Sequence, residues 1–96
     1  MSKFENRDGK LFIDGKQVLK GWESFSGWYW FATDAGYKQD SVIEGKVHNG
    51  DQIWFGLVQG FEEEWGYFST AELKAQGNRV WPIKERDLPF AGRRND

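Results

Sequence analysis

The segment from Ile53 to Leu73, IWFGLVQGFEEEWGYFSTAEL, constrains the fold of this chain more than any other part of it. Apolar residues on both sides of an acidic stretch predict two strands joined by a turn, because side chains alternate between the faces of a sheet. The residues Ser69 to Glu72 that follow form a capping box, in which the serine hydroxyl accepts a hydrogen bond from the glutamate amide. This pattern predicts a short helix at about residues 69–76, terminated by Gly77.

The N-terminal half of the chain carries one hairpin signal and one clear strand. Asp14-Gly15 lies between two short apolar runs, which predicts a hairpin over residues 10–18. Residues 28–33, WYWFAT, are rich in side chains that suit a pleated surface, and they are apolar on both faces. They therefore predict a central strand that is covered on both sides, or covered on one side with a binding face on the other.

The middle of the chain is more polar. Residues 34–40 predict a loop, and Asn49-Gly50 predicts a hairpin turn between a weaker strand at 41–48 and a strand at 52–59. Gly56 interrupts that last strand, which indicates either a bulge or a close approach of another backbone segment.

The C-terminal part predicts a final strand over residues 80–83, where Pro82 cannot donate a hydrogen bond, so the strand is expected to lie at a sheet edge or to be broken there. Residues 84–90 are predicted to be extended. The expected fold class is α+β, with a single, mostly antiparallel sheet of five to six short strands and one short helix in the C-terminal half. Residues 1–96 are expected to form one domain, with residues 1–9 and 91–96 loosely ordered.

The composition of the chain excludes several classes of protein. The net charge is −2, without the basic excess that is typical of proteins that bind duplex DNA. The absence of cysteine excludes disulfides and thiolate metal sites. The first residues lack the apolar core of a signal peptide, and no apolar run is long enough to span a membrane. We therefore predict a cytoplasmic protein with no membrane partner.

Two motifs resemble a known family: WFGLVQGFEEEWGYFSTAEL at residues 54–73 and ERDLPF at residues 85–90. They are similar to the motifs of small proteins carried by bacterial and archaeal plasmids, phages and other mobile elements, a family known only as a domain of unknown function. The tryptophan-rich strand at residues 28–33 resembles an earlier strand of that family. The resemblance covers about residues 28–90 and implies a shared fold and a mobile-element setting, but no activity.

The charged residues suggest mainly structural roles. Glu62, Glu63 and Glu64 form either a solvated turn or a site for a cation or a basic partner, although their spacing matches no established metal site. A second charged set is expected to form structural ion pairs around the arginine: Glu72, Glu85, Arg86 and Asp87. His48 is the single histidine, so a histidine-rich metal site is excluded. No phosphate-binding or nucleophile motif is present, and we expect no metal or cofactor.

The aromatic side chains give the best functional indication. They make up 18% of the chain, more than a small core normally requires. We therefore expect some of them to form a binding surface with the acidic turn: Trp28, Trp30, Trp54, Glu62, Glu63, Glu64 and Trp65. The leading hypothesis is a non-enzymatic module that contacts a host protein or itself, because tryptophan and tyrosine dominate interface energies. The alternatives are single-stranded nucleic-acid binding through exposed rings, and an enzyme of unknown type.

Overall fold

A computed structural model of the chain describes residues 2–93. The chain is broadly α+β and consists mostly of antiparallel strands. The elements, in chain order, are β1 Phe4–Arg7, β2 Lys10–Ile13, β3 Lys16–Gln17, β4 Lys20–Ser24, β5 Tyr29–Ile43, β6 Lys46–Gln59, β7 Glu63–Ser69, α1 Thr70–Ala75 and β8 Val80–Pro82. Two short 3₁₀ helices, Gly77–Arg79 and Glu85–Phe90, flank β8.

The strands form two sheets, so the prediction of a single sheet is wrong. One sheet has three strands in the order β1-β2-β3, and the other has five in the order β7-β6-β5-β4-β8. The predicted Asp14-Gly15 turn is confirmed between β2 and β3, with a positive φ at both residues. The N-terminal hairpin gains β1 as a third strand, and this small sheet covers one face of the larger one. Stacking the two sheets buries an apolar face of each, which a single sheet would leave open.

The β5–β6 hairpin is much longer than the sequence predicts. Residues 34–40 continue β5 instead of forming a loop, and the chain reverses at Glu44-Gly45, not at Asn49-Gly50. Glu44 and Gly45 have φ values of 52° and 78°, which suit the two central residues of a type I′ hairpin turn. Residues 34–40 are exposed, so their polarity is compatible with a strand that extends beyond the core. Three register shifts occur between β5 and β6, at which residues of one strand have no paired residue in the other.

Gly56 lies where β6 passes closest to β5. A Cβ atom at this position would lie 1.7 Å from the carbonyl oxygen of Phe31, so only glycine allows this approach. The close approach that the sequence indicated is therefore confirmed. One of the register shifts lies beside it, because Ala32 pairs with Gly56 whereas Asp34 pairs with Phe55.

The core between the two sheets contains Phe31 and Leu57 from the larger sheet, and Leu11, Ile13 and Val18 from the N-terminal segment. Leu88 closes this core from the 3₁₀ helix Glu85–Phe90, so the prediction that residues 84–90 are extended is wrong. The 3₁₀ turn brings Leu88 over β4, where a Cβ atom on Gly21 would lie 2.6 Å from the leucine Cδ1 atom. Because Gly21 has no side chain, Leu88 can pack directly against β4.

The opposite face of the larger sheet carries α1. Trp22, Ala32 and Leu73 are buried there, and the half-buried rings of Trp30, Trp54 and Phe68 pack around them. The predicted cap is confirmed: the Ser69 hydroxyl accepts a hydrogen bond from the Glu72 amide at 3.1 Å. Gly77 follows the last helical turn with a φ of 62°, as expected for a helix-terminating residue. The edge position of β8, which contains Pro82, is also confirmed.

The two ends of the described chain lie against the sheets. Residues 1–9, expected to be loosely ordered, include β1, and the Asp14 carboxylate accepts a hydrogen bond from the Lys3 amide at 2.7 Å. At the other end, Gln59 and Arg93 exchange hydrogen bonds of 2.9 Å and 2.8 Å. Residues 94–96 of the predicted loose tail lie outside the described residues.

Asp51 is a buried carboxylate that joins β6 to α1. It accepts hydrogen bonds from the Ala71 amide at 2.9 Å, the Ser41 hydroxyl at 2.8 Å and the Ser69 hydroxyl. Burial alone would raise the pKa of Asp51, but these hydrogen bonds, with His48 nearby, hold the pKa below its ordinary value of 3.8. A depressed pKa in the folded state means that ionised Asp51 stabilises the fold above the pKa of the unfolded chain. That contribution is lost as the pH falls through the lower folded pKa.

We predict that Asp51→Asn lowers the free energy of unfolding at pH 7 by about 1–3 kcal/mol, the value of hydrogen bonds to a charged group. The gap between variant and wild type should narrow as the pH falls from about 4 through the lower pKa of folded Asp51, because protonation of the carboxylate then removes its contribution to stability. Urea denaturation at a series of pH values measures both effects. Asp87→Asn, at an exposed position, is the matched control and should change little. An equal loss for Asp51→Asn at every pH would contradict this account.

Candidate functional site

The most distinctive surface of the molecule surrounds β7, which forms one edge of the five-stranded sheet. The register places Glu64 opposite Val58, on the face that carries α1, and it places Trp65 and Tyr67 opposite Leu57 and Phe55, on the other face. One short strand thus presents a carboxylate on one face and exposed rings on the other.

On the α1 face, aromatic rings and carboxylates border a cleft of about 240 Å³. We call it the acidic cleft; it is lined by Trp28, Val58, Gly60, Phe61, Glu62 and Glu64. The ring of Trp28 meets that of Phe61 edge-to-face, with the centroids 5.2 Å apart, and lies 6.0 Å from the ring of Trp30. The Phe61 side chain is 93% exposed, although it is a large apolar group, so its outer face is free to contact a ligand.

The three consecutive glutamates do not act together. Glu62 and Glu64 line the acidic cleft, are exposed, and form no ion pair within residues 2–93. Glu63 points to the opposite face, where its carboxylate accepts hydrogen bonds from the Gln59 amide at 2.7 Å and the Ser2 amide at 3.0 Å. No group of three or more potential metal ligands occurs within the described part of the chain. The two carboxylates of this turn that lack such partners within residues 2–93, those of Glu62 and Glu64, therefore border the acidic cleft.

The other face of β7 carries a line of four rings, which we call the aromatic row: Trp65, Phe55, Tyr67 and Tyr37. Successive centroids lie 6.2, 5.1 and 5.6 Å apart. The Nζ atom of Lys16, from the three-stranded sheet, lies 5.3 Å from the Trp65 ring and 5.6 Å from the Phe55 ring. Because Tyr67 and Tyr37 are 63% and 49% exposed, the far end of the row is open to a ligand.

The structure divides the predicted binding surface into three parts. Trp28, Trp30, Glu62 and Glu64 meet at or beside the acidic cleft. Trp65 belongs to the aromatic row, and Glu63 is held by hydrogen bonds on that same face. Trp54 packs under α1, where its indole N–H donates to the Thr70 hydroxyl at 2.8 Å, so it contributes to the core and not to a surface.

Several site residues were absent from the predicted set, namely Phe61, Val58, Gly60, Phe55, Tyr67 and Tyr37. The alternation of residues 63–69 could have separated Glu64 from Trp65 and Tyr67 in advance. Tyr37 could not be placed, because it falls in a segment that the sequence predicts to be a loop.

The predicted ion pairs are not formed. Glu72, Glu85, Arg86 and Asp87 are all exposed, and none of them makes an ion pair within residues 2–93. The physical reason is the 3₁₀ helix Glu85–Phe90: it buries Leu88 and Pro89 and leaves the charged residues in solvent. Arg86 lines an open surface depression with Gly9, Lys84 and Glu85.

Asp51, His48 and two serines have the composition of a hydrolase triad but not its geometry. In a triad, the histidine lies between the serine and the carboxylate and accepts the serine proton. Here Ser41 and Ser69 donate directly to Asp51, and within the described residues neither serine has a hydrogen bond to His48. The arrangement fits a buried structural carboxylate that caps α1.

Comparison of the chain with protein-family models, with curated proteins and with solved structures found no match. The helices of the described residues are too short and too polar to cross a membrane.

The shape of the acidic cleft depends on Gly60, because a Cβ atom there would lie 2.6–2.8 Å from three carbons of the Trp28 ring. We predict that Gly60→Ala displaces Trp28 and costs about 1–3 kcal/mol, the usual effect of overpacking. Near-ultraviolet circular dichroism and denaturant titration measure the two effects. Gly66→Ala is the matched control, since a Cβ atom at Gly66 would meet nothing within 4 Å. Equal behaviour of the two variants would contradict the proposed packing.

Proposed function

We propose that this protein is a small binding module that acts through contact with another protein and holds a lysine or arginine side chain of that partner in the acidic cleft. One observation carries the proposal: the rings of Trp28 and Phe61 stand beside two carboxylates, Glu62 and Glu64, that have no cationic partner within residues 2–93. Rings and free carboxylates favour the same kind of ligand, a positively charged group.

The energetics support a cationic ligand. A cation within about 6 Å of a ring centroid gains about 0.5–1 kcal/mol at an exposed site and about 2 kcal/mol when desolvated, with tryptophan the best acceptor. Carboxylates beside the rings add charge complementarity, which speeds association and gives specificity. Trp28 and Trp30 are half-buried, so their positions are fixed before a ligand arrives. Preformed rings reduce the entropy lost on binding.

The proposal includes the biological context of the protein, namely a mobile element and a host partner. The motifs at residues 54–73 and 85–90 resemble those of mobile-element proteins, so we propose a host factor in the cytoplasm as the partner, and the acidic cleft favours a basic surface on it. Large aromatic side chains are the usual anchors of such contacts.

We predict that acetylated trilysine amide changes the tryptophan fluorescence of the protein in a saturable way and that added salt weakens the effect. Phe61→Ala and the double variant Glu62→Gln/Glu64→Gln should each raise the dissociation constant by about three- to tenfold, the equivalent of roughly 1 kcal/mol. Glu44→Gln, at the remote β5–β6 turn, is the matched control because it changes the charge without touching the cleft. Identical affinities for all these variants would refute the proposal.

The aromatic row favours a second candidate function, the binding of single-stranded nucleic acid. Bases stack on successive rings at a gain of about 1–3 kcal/mol each, and Lys16 supplies a positive charge beside Trp65 and Phe55. This surface lies on the opposite face of β7 from the acidic cleft, so the two functions can be tested separately.

For this second function, we expect an oligothymidylate to quench tryptophan fluorescence at about 50 mM salt and to do so less as the salt concentration rises. Tyr67→Ala should weaken the quenching, because it removes an exposed ring from the row. Phe25→Ala, which removes a 72% exposed ring elsewhere, should have no effect. The absence of quenching by the wild-type protein would eliminate nucleic-acid binding.

A further inference from the structure

The two edges of the five-stranded sheet are very different. One edge is β8, which has three residues and contains Pro82. The other is β7, which has seven residues and contains no proline, lysine or arginine. Shortness, proline and lysine are the usual devices that keep a sheet edge from pairing with another chain. The edge at β8 has two of these devices, whereas the edge at β7 has none of the three, and its only charged side chains are Glu63 and Glu64.

The backbone of β7 is open on its outer side. All of its residues pair with β6, from Glu63 opposite Gln59 to Ser69 opposite Ile53. Alternate residues of an antiparallel strand point their N–H and C=O groups away from the neighbouring strand. No main-chain hydrogen bond joins residues 63–69 to a second strand within residues 2–93. These outward groups are therefore available to an added strand.

The side chains of β7 define what an added strand would meet. On the α1 face it would lie beside Glu64 and Gly66, and Gly66 leaves open space because a Cβ atom there would contact nothing within 4 Å. On the other face it would lie beside Trp65 and Tyr67, which are 37% and 63% exposed. The α1 face thus suits basic side chains, and the other face suits apolar ones.

We propose that an extended segment of a partner protein, with alternating basic and apolar residues, adds to β7 as a sixth strand of the sheet. The inference rests on the proposed function and specifies how the partner binds: its main chain pairs with β7, and one basic side chain reaches the acidic cleft. Adding a strand to a free edge is an established mode of peptide recognition, in which the main chain supplies affinity and alternate side chains supply specificity.

Charge favours this occupant over a second copy of the same chain. Since β7 contains neither lysine nor arginine, pairing between two copies of β7 would place no cation from either strand at Glu64. A basic segment supplies one at the same position at which the backbones pair. We therefore expect the protein to remain monomeric without the segment, and sedimentation velocity at micromolar concentrations measures this. A dimer that persists when the basic peptide is added in excess would overturn the inference, since the edge would then belong to a second copy.

The decisive experiment uses an acetylated and amidated eight-residue peptide of alternating lysine and valine, together with two N-methylated forms of it. The N–H groups of alternate residues point to the same edge of a strand, so methylation of the lysine nitrogens blocks one edge and methylation of the valine nitrogens blocks the other. If the peptide pairs with β7, one methylated form should lose about tenfold or more in affinity and the other should bind like the parent peptide. Equal affinities of the two forms, whether unchanged or reduced, would overturn the inference.

The experiment also separates this inference from the proposed function. If only strand addition is wrong, Glu62→Gln/Glu64→Gln will still weaken both trilysine and the eight-residue peptide, while the two methylated forms bind equally. If only the cation site is wrong, the methylated forms will differ, but the glutamine substitutions will not affect either ligand. Amide hydrogen exchange gives an independent measurement: alternate amides of residues 63–69 should gain protection when the parent peptide binds, and unchanged exchange throughout β7 would overturn strand addition.

Discussion

The antiparallel pairing of β5 with β6 is the interaction on which the rest of the structure depends. Its closest point is Gly56, which lets β6 pass against the backbone of Phe31. From this pair, one face packs Phe31 and Leu57 against the three-stranded sheet, and the other packs Ala32 against α1. Both faces of the β5–β6 pair are covered at the end distant from the Glu44-Gly45 turn. One hairpin therefore contributes to two apolar clusters. That arrangement suits a small domain that has no disulfide to support it.

Asp51 connects this hairpin to the helix. It lies on β6 and accepts hydrogen bonds from Ser69, the residue that caps α1, and from the Ala71 amide at the first turn. A helix of six residues is too short to persist alone, so its stability comes from such contacts and from the packing of Leu73. The same contacts fix the end of β7, because Ser69 is both its last residue and the helix cap. The orientation of the edge strand is thereby tied to the core.

The position of β7 at the sheet edge distinguishes it from the inner strands. A strand inside the sheet would have its backbone groups paired on both sides, whereas β7 pairs only with β6 within residues 2–93. The acidic turn before it places Phe61 and Glu62 beside Trp28 and Glu64. On the reverse face, Trp65 and Tyr67 continue a row of rings into solvent. Charge, rings and outward-facing backbone groups therefore meet at one edge of the sheet.

The sequence by itself determined the local features: the Ser69 cap, the Asp14-Gly15 turn and the missing hydrogen-bond donor at Pro82. These depend on hydrogen bonds and dihedral preferences of residues close together in the chain. Only the tertiary structure decided that the strands divide into two sheets, that β5 and β6 reverse at Glu44-Gly45, and that Trp28 meets Phe61 beside the acidic turn. Asn49-Gly50 is the stronger local turn signal, yet the pairing of Tyr37 with Ile53 fixes a register in which it lies within β6. Register, burial and the free edge depend on contacts between residues far apart in the chain, and no local pattern contains that information.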